Sequence, residues 1–157
     1  MKDEKTNVMR LLEQKKVTYK SYNYVNAGTT NGEEIAAILG QDPKRVFKTL
    51  VTVGRSGEHF VFMIPVEGEL DLKKAARAAG EKNIEMIKSK DLLPTCGYVH
   101  GGCSPIGMKK LFKTFADASA ESFETVFFSA GKIGYQVEVA PTDLARMIPV
   151  NFCDLCI

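Results

Sequence analysis

The sequence predicts an α+β fold in which a curved, largely antiparallel sheet is flanked by helices. Two observations lead there. Runs rich in Val, Ile, Phe and Thr are joined mostly by turns, and the few helical stretches do not alternate regularly with them. At 157 residues the chain has the length of one domain with a real core, so residues 1–157 read as a single domain.

The elements follow in order. Val8, Leu11 and Leu12 form one stripe of a helix over residues 7–16. An aromatic strand follows over 19–25. Thr30 and Glu33 have capping-box spacing for a helix that ends at Gly40, and Asp42-Pro43 suggests a short helical turn. The clearest hairpin joins 46–53 to 59–65 through Gly54-Arg55-Ser56-Gly57. Asp71 caps a helix over 72–79, closed by Gly80. A short strand is expected at 84–87, and a helical turn over 89–93 is halted by Pro94. Strands are expected at 98–100, 112–117, 125–129 and 135–139, and Pro141 opens a last helix over 142–147.

Composition narrows the partners. With 21 basic and 19 acidic side chains, the formal charge is only +2. A protein tracking many phosphates would be more basic, so a small ligand or one end of a nucleic acid fits better. The charged start, Met1-Lys2-Asp3-Glu4-Lys5, is not a secretory or membrane segment. A cytoplasmic location with reduced thiols is expected, away from any membrane.

Two features suggest a cleft. Along the strand at 46–53, alternation puts Lys48 on one face between Val46 and Leu50. An ammonium in such a place is costly unless it meets an anion. The competing reading is a strand-end lysine whose stem covers the core while its head stays in water. The second feature is the turn from Cys96 to Gly107, with four glycines and Pro105. Such a loop can aim several N–H groups at an oxyanion or phosphate, and Ser104 adds a hydroxyl. Its spacing is neither a phosphate loop nor a dinucleotide fingerprint, and an unliganded wide turn reads equally well. Ser129-Ala130-Gly131-Lys132 begins a second loop of the same character.

Other chemistries find less support. Cys153 and Cys156 make one tight pair, but Cys96 and Cys103 are widely spaced, so zinc is not expected. No cofactor is expected either. Only His100 stands near enough to the glycine turn to serve as a base, and a backbone-paired histidine is the simpler reading. Lys73, Lys74, Arg77, Lys109, Lys110 and Lys113 fit either solvated faces or a guide for a polyanion.

Read together, Val46-Phe47-Lys48-Thr49-Leu50, Glu69-Leu70-Asp71-Leu72-Lys73-Lys74, the run from Gly97 to Lys110 and Ser129-Ala130-Gly131-Lys132 resemble the YbaK/EbsC family. Its members are free-standing relatives of the editing domain inserted in bacterial prolyl-tRNA synthetases. The likeness spans about residues 6–152, and within the family it is greatest to the cysteinyl-tRNA(Pro) deacylase branch. It implies a barrel-like sheet and the removal of cysteine misattached to proline tRNA, beside prolyl-tRNA synthetase, by a monomer. It implies that Lys48 holds the terminal adenosine and is needed for activity. It also implies that Tyr24, Thr49, Gly101, Gly102, Ser104, Pro105, Gly107, Ser129, Gly131 and Gln136 bind substrate. In the cysteine branch the substrate's own thiol is thought to attack its ester. Related readings are an Ala-tRNA(Pro) deacylase and a non-catalytic module that binds tRNA or synthetase. Departures are Ala130 for a glycine, a shorter segment at 26–31, and Gln136 where many members carry aspartate. Gln136 can hydrogen-bond an amino group but cannot pair with its charge.

Overall fold

The computed structural model describes residues 4–157; Met1, Lys2 and Asp3 lie outside the described residues. Helix α1 (Asn7–Gln14) starts at Thr6, whose hydroxyl accepts from the Met9 N–H at 3.3 Å. Strand β1 (Lys20–Asn23) is followed by a 3-10 turn (Val25–Ala27) and by α2 (Gly32–Leu39). Asn31 and not Thr30 caps α2: its side-chain oxygen accepts from the Glu34 N–H at 3.0 Å. The expected helix at Asp42-Pro43 is only a turn, in which the Asp42 carboxylate accepts the Lys44 N–H.

The hairpin of β2 (Phe47–Gly54) and β3 (His59–Pro65) forms as expected. Asp71 and Gly80 bound α3 (Leu72–Ala79) at the positions the sequence indicates. Next come β4 (Ile84–Met86) and α4 (Ser89–Cys96), which contains Pro94 and is not halted by it. The strand expected at 98–100 is absent. The remaining elements are β5 (Lys113–Asp117), a 3-10 segment (Ala118–Ser122), β6 (Val126–Ser129), β7 (Tyr135–Val139), α5 (Pro141–Met147) and β8 (Val150–Cys153).

These strands form two open sheets flanked by helices, in the orders β1-β7-β6 and β4-β2-β3-β5-β8. The smaller sheet is antiparallel throughout, as is the β4-β2-β3 part of the larger one. The β3–β5 and β5–β8 pairs are parallel. Parallel pairs need long crossovers, and the first of these carries α3, β4, α4 and the glycine-rich loop. Strand β3 is buried on both faces. Phe60, Phe62 and Ile64 pack with Ala75, Ala76 and Leu155 on one side, while Met63 faces the core of α1, α5 and the smaller sheet.

The sheets share a core, and among the described residues one backbone bridge links them. Val46 and Phe127 form a parallel bridge, and the Phe127 N–H donates to the Arg45 carbonyl at 2.9 Å. The Arg45 side chain donates to the Thr125 carbonyl and hydroxyl, at 3.1 and 2.5 Å, and to Glu138 at 3.4 Å. Glu138 also accepts from Tyr22 and Thr125, each at 2.5 Å. Burial opposes the Glu138 charge, but the hydrogen bonds from Thr125 and Tyr22, helped by Lys20 and Arg45, outweigh it and hold the carboxyl below its ordinary range.

Tyr98 sets the glycine-rich loop. Its hydroxyl donates to the Ile106 carbonyl at 2.5 Å, and its ring packs on the main core. Gly107 (φ +82°) and Gly131 (φ +89°) approach it so closely that a Cβ would lie 2.7 Å from its hydroxyl and 3.0 Å from its ring, respectively.

Because the folded Glu138 pKa is depressed, its contribution is present above the unfolded pKa and lost as pH falls through the folded one. Glu138→Gln is expected to lower stability at pH 7 by about 1–2 kcal/mol and to flatten the acid limb of a urea-midpoint profile. Gly107→Ala and Gly131→Ala should each cost about 2–3 kcal/mol, combining left-handed strain with the clash. Gly57→Ala, at φ +92° with nothing within 4 Å of the added carbon, should cost only about 1–2 kcal/mol. Urea unfolding of the three variants checks the ranking.

Candidate functional site: a cleft where the two sheets part

From the Val46–Phe127 bridge the sheets diverge. Strand β2 regains a second neighbour only at Thr52, where β4 joins it. Between these attachments, residues 47–50 pair with β3 alone, while the Val51 carbonyl already accepts the Ile87 N–H at 3.2 Å. The gap is a cleft of about 460 Å³. One wall is β2 from Val46 to Val51. Phe128 and Ser129 of β6, Gln136 of β7, Tyr24, the start of α2, and His100, Gly101 and Cys103 also line the cleft.

Lys48, Thr49, Tyr24, Gly101, Ser129 and Gln136 therefore converge on one space, although 112 positions separate the first from the last in sequence (136 − 24). Lys48 is half-buried, and among the described residues no carboxylate or carbonyl is paired with its ammonium. The Thr49 hydroxyl is buried and likewise has no hydrogen-bond partner among the described residues. Tyr24 is buried, which pushes its phenol up against a smaller opposing effect from Gly134. Ser129 is turned to its own loop, where its hydroxyl accepts the Gly131 N–H at 3.1 Å.

The other residues indicated by the sequence stand behind this wall. Ser104 is fully buried, and its hydroxyl accepts the Ile106 N–H. Gly102 packs against the Ile133 backbone, with room for a Cβ only at 3.2 Å. Pro105 and Gly107 line a separate groove of about 260 Å³ on the far side of the loop, and Gly131 packs on Tyr98. Their placement shapes the loop that presents Gly101.

The wall also contains residues that sequence reasoning missed. Asn31, Gly32 and Glu33 at the start of α2, and Met86, Ile87, Ser89 and Leu92 around β4 and α4, all line it. No local motif marks them; only the β2–β4 pairing brings the second group there. Gln41 was missed too. It lies just beyond α2, and its amide pairs with that of Gln136.

The cleft is lined by the Lys48 ammonium, the Glu33 carboxylate, the buried Thr49 hydroxyl and the amides of Gln136 and Asn31. His100 is exposed at its rim. Burial, followed by the adjacent Cys96, pushes the Cys103 thiol far above its ordinary range, so it is not a thiolate near neutral pH. This arrangement suits holding a polar or anionic ligand better than attacking it. All four cysteines are free; Cys153 and Cys156 lie away from the cleft beside Asp117, which lifts both thiols further after burial.

Known proteins share this sequence and this fold. Residues 26–147 match the family model of the aminoacyl-tRNA editing domain. Over 97% of this chain and 93% of the relative, the sequence is 45% identical to an Enterococcus faecalis protein bearing the name Cys-tRNA(Pro)/Cys-tRNA(Cys) deacylase EbsC. A proline–tRNA ligase of Shouchella clausii is 30% identical over 69% of this chain, which corresponds to 19% of that enzyme. The fold matches the crystal structure of the protein APE2540, with a TM-score of 0.87 at 20% identity, covering 96% of this chain and 99% of that one. It also matches a structure described as a trans-editing enzyme for prolyl tRNA synthetase, with a TM-score of 0.82 at 22% identity over 96% and 94% of the two chains. The chain belongs to the aminoacyl-tRNA editing domain family.

Proposed function

We propose that the protein removes cysteine from mischarged tRNA(Pro), acting in trans on the aminoacylated 3′ end, and that it also cleaves Cys-tRNA(Cys) unless a synthetase partner restricts it. The carrying observation is Lys48, a half-buried cation without a partner among the described residues, on the wall of a cleft in an aminoacyl-tRNA editing domain. The cleft volume of about 460 Å³ lies within the range of small-ligand sites, roughly 300–1,000 Å³. It suits one aminoacyl-nucleoside rather than a duplex.

The chemistry follows from what the cleft supplies. Lys48 holds the nucleotide end by charge, and Thr49 and the Gly101 backbone, which line the same cleft, fix the ester. The attacking group is the substrate's thiol. Its sulfur bonds to the ester carbonyl carbon, the bond from that carbon to the ribose oxygen breaks, and the thiol proton ends on the ribose hydroxyl. Cysteine departs as its thiolactone. The protein's contribution is positioning, which agrees with a Cys103 thiol held protonated.

Lys48→Ala is expected to lower kcat/KM for Cys-tRNA(Pro) about 100-fold or more with an unchanged thermal unfolding midpoint. Unaltered turnover would remove the role given to Lys48. Cys-tRNA(Pro) should be cleaved and Ala-tRNA(Pro) spared in a side-by-side assay, because alanine has no thiol to cyclise. Equal cleavage of both would point to attack by water and to the alanine reading.

A further inference from the structure

Strand β2 alternates the direction of its main-chain groups, and its bonds show which residues face which side. Val46 and Gly54 turn to the β3 side. The Val46 carbonyl accepts from the Val66 N–H at 2.8 Å, and the Gly54 N–H donates to the Glu58 carbonyl at 2.8 Å. Arg45 and Val51 turn the other way: their carbonyls accept from the Phe127 N–H at 2.9 Å and the Ile87 N–H at 3.2 Å. Even-numbered residues therefore bond toward β3, and odd-numbered ones face the gap between β6 and β4. Thr49 lies midway along that gap, where β2 has no neighbour on this side.

This edge carries unused groups. The Val51–Ile87 pair is incomplete: Ile87 donates to Val51, but the Val51 N–H makes no return bond, and the β2–β4 ladder starts at Thr52. Val51 is only 2% exposed, yet it lines the cleft. Buried N–H groups are nearly always paired, so one left over against a cleft points to a ligand. Two residues earlier the Thr49 carbonyl faces the same way, and no N–H among the described residues donates to it.

An acceptor at one residue and a donor two residues on, along one strand edge, match a flat ligand with a donor beside an acceptor. Adenine has that order: its 6-amino group lies beside a ring nitrogen, N1 on one edge and N7 on the other. The side chains at this end suit the faces of such a ring. Met86, Ile87 and Leu92 line the cleft, and Ile87 and Leu92 belong to one apolar cluster with Val51. An aminoacyl group also carries an acceptor beside a donor, but it is not flat, and its ammonium gains nothing from aliphatic walls.

We infer that the free edge of β2 reads the base of the terminal adenosine: the Thr49 carbonyl accepts from its 6-amino group, and the Val51 N–H donates to the adjoining ring nitrogen. The inference rests on the editing function proposed above and names the part of the substrate that binds beside β4 and α4. Main-chain groups do the reading, so no side-chain motif marks this subsite.

The test is calorimetric binding of four non-hydrolysable probes, each a 3′-deoxy-3′-(L-cysteinylamino) nucleoside. Their bases are adenine, purine without the 6-amino group, 1-deazaadenine and 7-deazaadenine. The purine probe should bind about tenfold more weakly than the adenine probe, as should at least one of the two deaza probes. A second arm replaces Val51 by 2-hydroxy-3-methylbutanoic acid, which exchanges its N–H for an ester oxygen and keeps the side chain. Affinity for the adenine probe should then fall about fivefold or more, while the most weakened deaza probe changes by less than about twofold. Mere loosening of the strand would not produce that coupling. Three results overturn the inference alone: a purine probe within about twofold of adenine, both deaza probes within about twofold of adenine, or a Val51 replacement that weakens every probe equally or none. Equal weakening would assign the edge to the aminoacyl group. A wild type that binds none of the four overturns the inference together with the editing function.

Discussion

The junction at Arg45 and Val46 is the constraint on which the rest of the site depends. Its guanidinium reaches Thr125 and Glu138 and lies 4.9 Å from the Phe127 ring centroid, while Tyr22 meets the same ring edge-on at 5.7 Å. These contacts concentrate cation, carboxylate and aromatic groups where the two sheets touch. A half-buried ion pair with its other hydrogen bonds in place tolerates few alternative arrangements. The divergence of the sheets from this apex opens the cleft, and Lys48 stands two residues beyond Val46. The same short turn supplies Gln41 to one polar residue of β7 and Arg45 to the other, so the junction and the β7 lining of the cleft are both tied to one stretch of chain.

Much of the fold was legible because its signals are local. Asp71 and Gly80 bracket α3 with side-chain and backbone bonds that involve only near neighbours, and the β2–β3 hairpin carries its own turn. The errors have physical causes. Thr30 and Asn31 are both capping residues one position apart, and the asparagine oxygen wins the Glu34 N–H. Residues 98–100 have strand-like side chains, but the Tyr98 hydroxyl is taken by Ile106 within its own loop. Strand β8 escaped notice because it exists by parallel pairing with β5, and parallel partners leave little local trace.

The site divides along the same line. Lys48 was visible as an ammonium between aliphatic neighbours on a strand, and the glycine loop was visible from composition. What composition could not say is which glycines face a ligand and which face Tyr98: Gly101 lines the cleft, while Gly107 and Gly131 admit the aromatic ring. Gln41 gave no signal at all. A glutamine after a helix is an ordinary surface residue until a partner 95 positions away is placed against it.

The first parallel crossover has a consequence for how activity arises. The cleft draws its walls from residue 24, near the start, to residue 136, near the end, and β3 must be joined by β5 across the whole intervening segment before the glycine loop is pinned. Non-local pairing of this kind is intrinsically slow, because loop closure precedes the contacts that reward it. A fragment ending before β7 lacks Gln136 and so does not hold the complete lining of the cleft. The enclosed space is thus a property of the finished topology and of no smaller part of it.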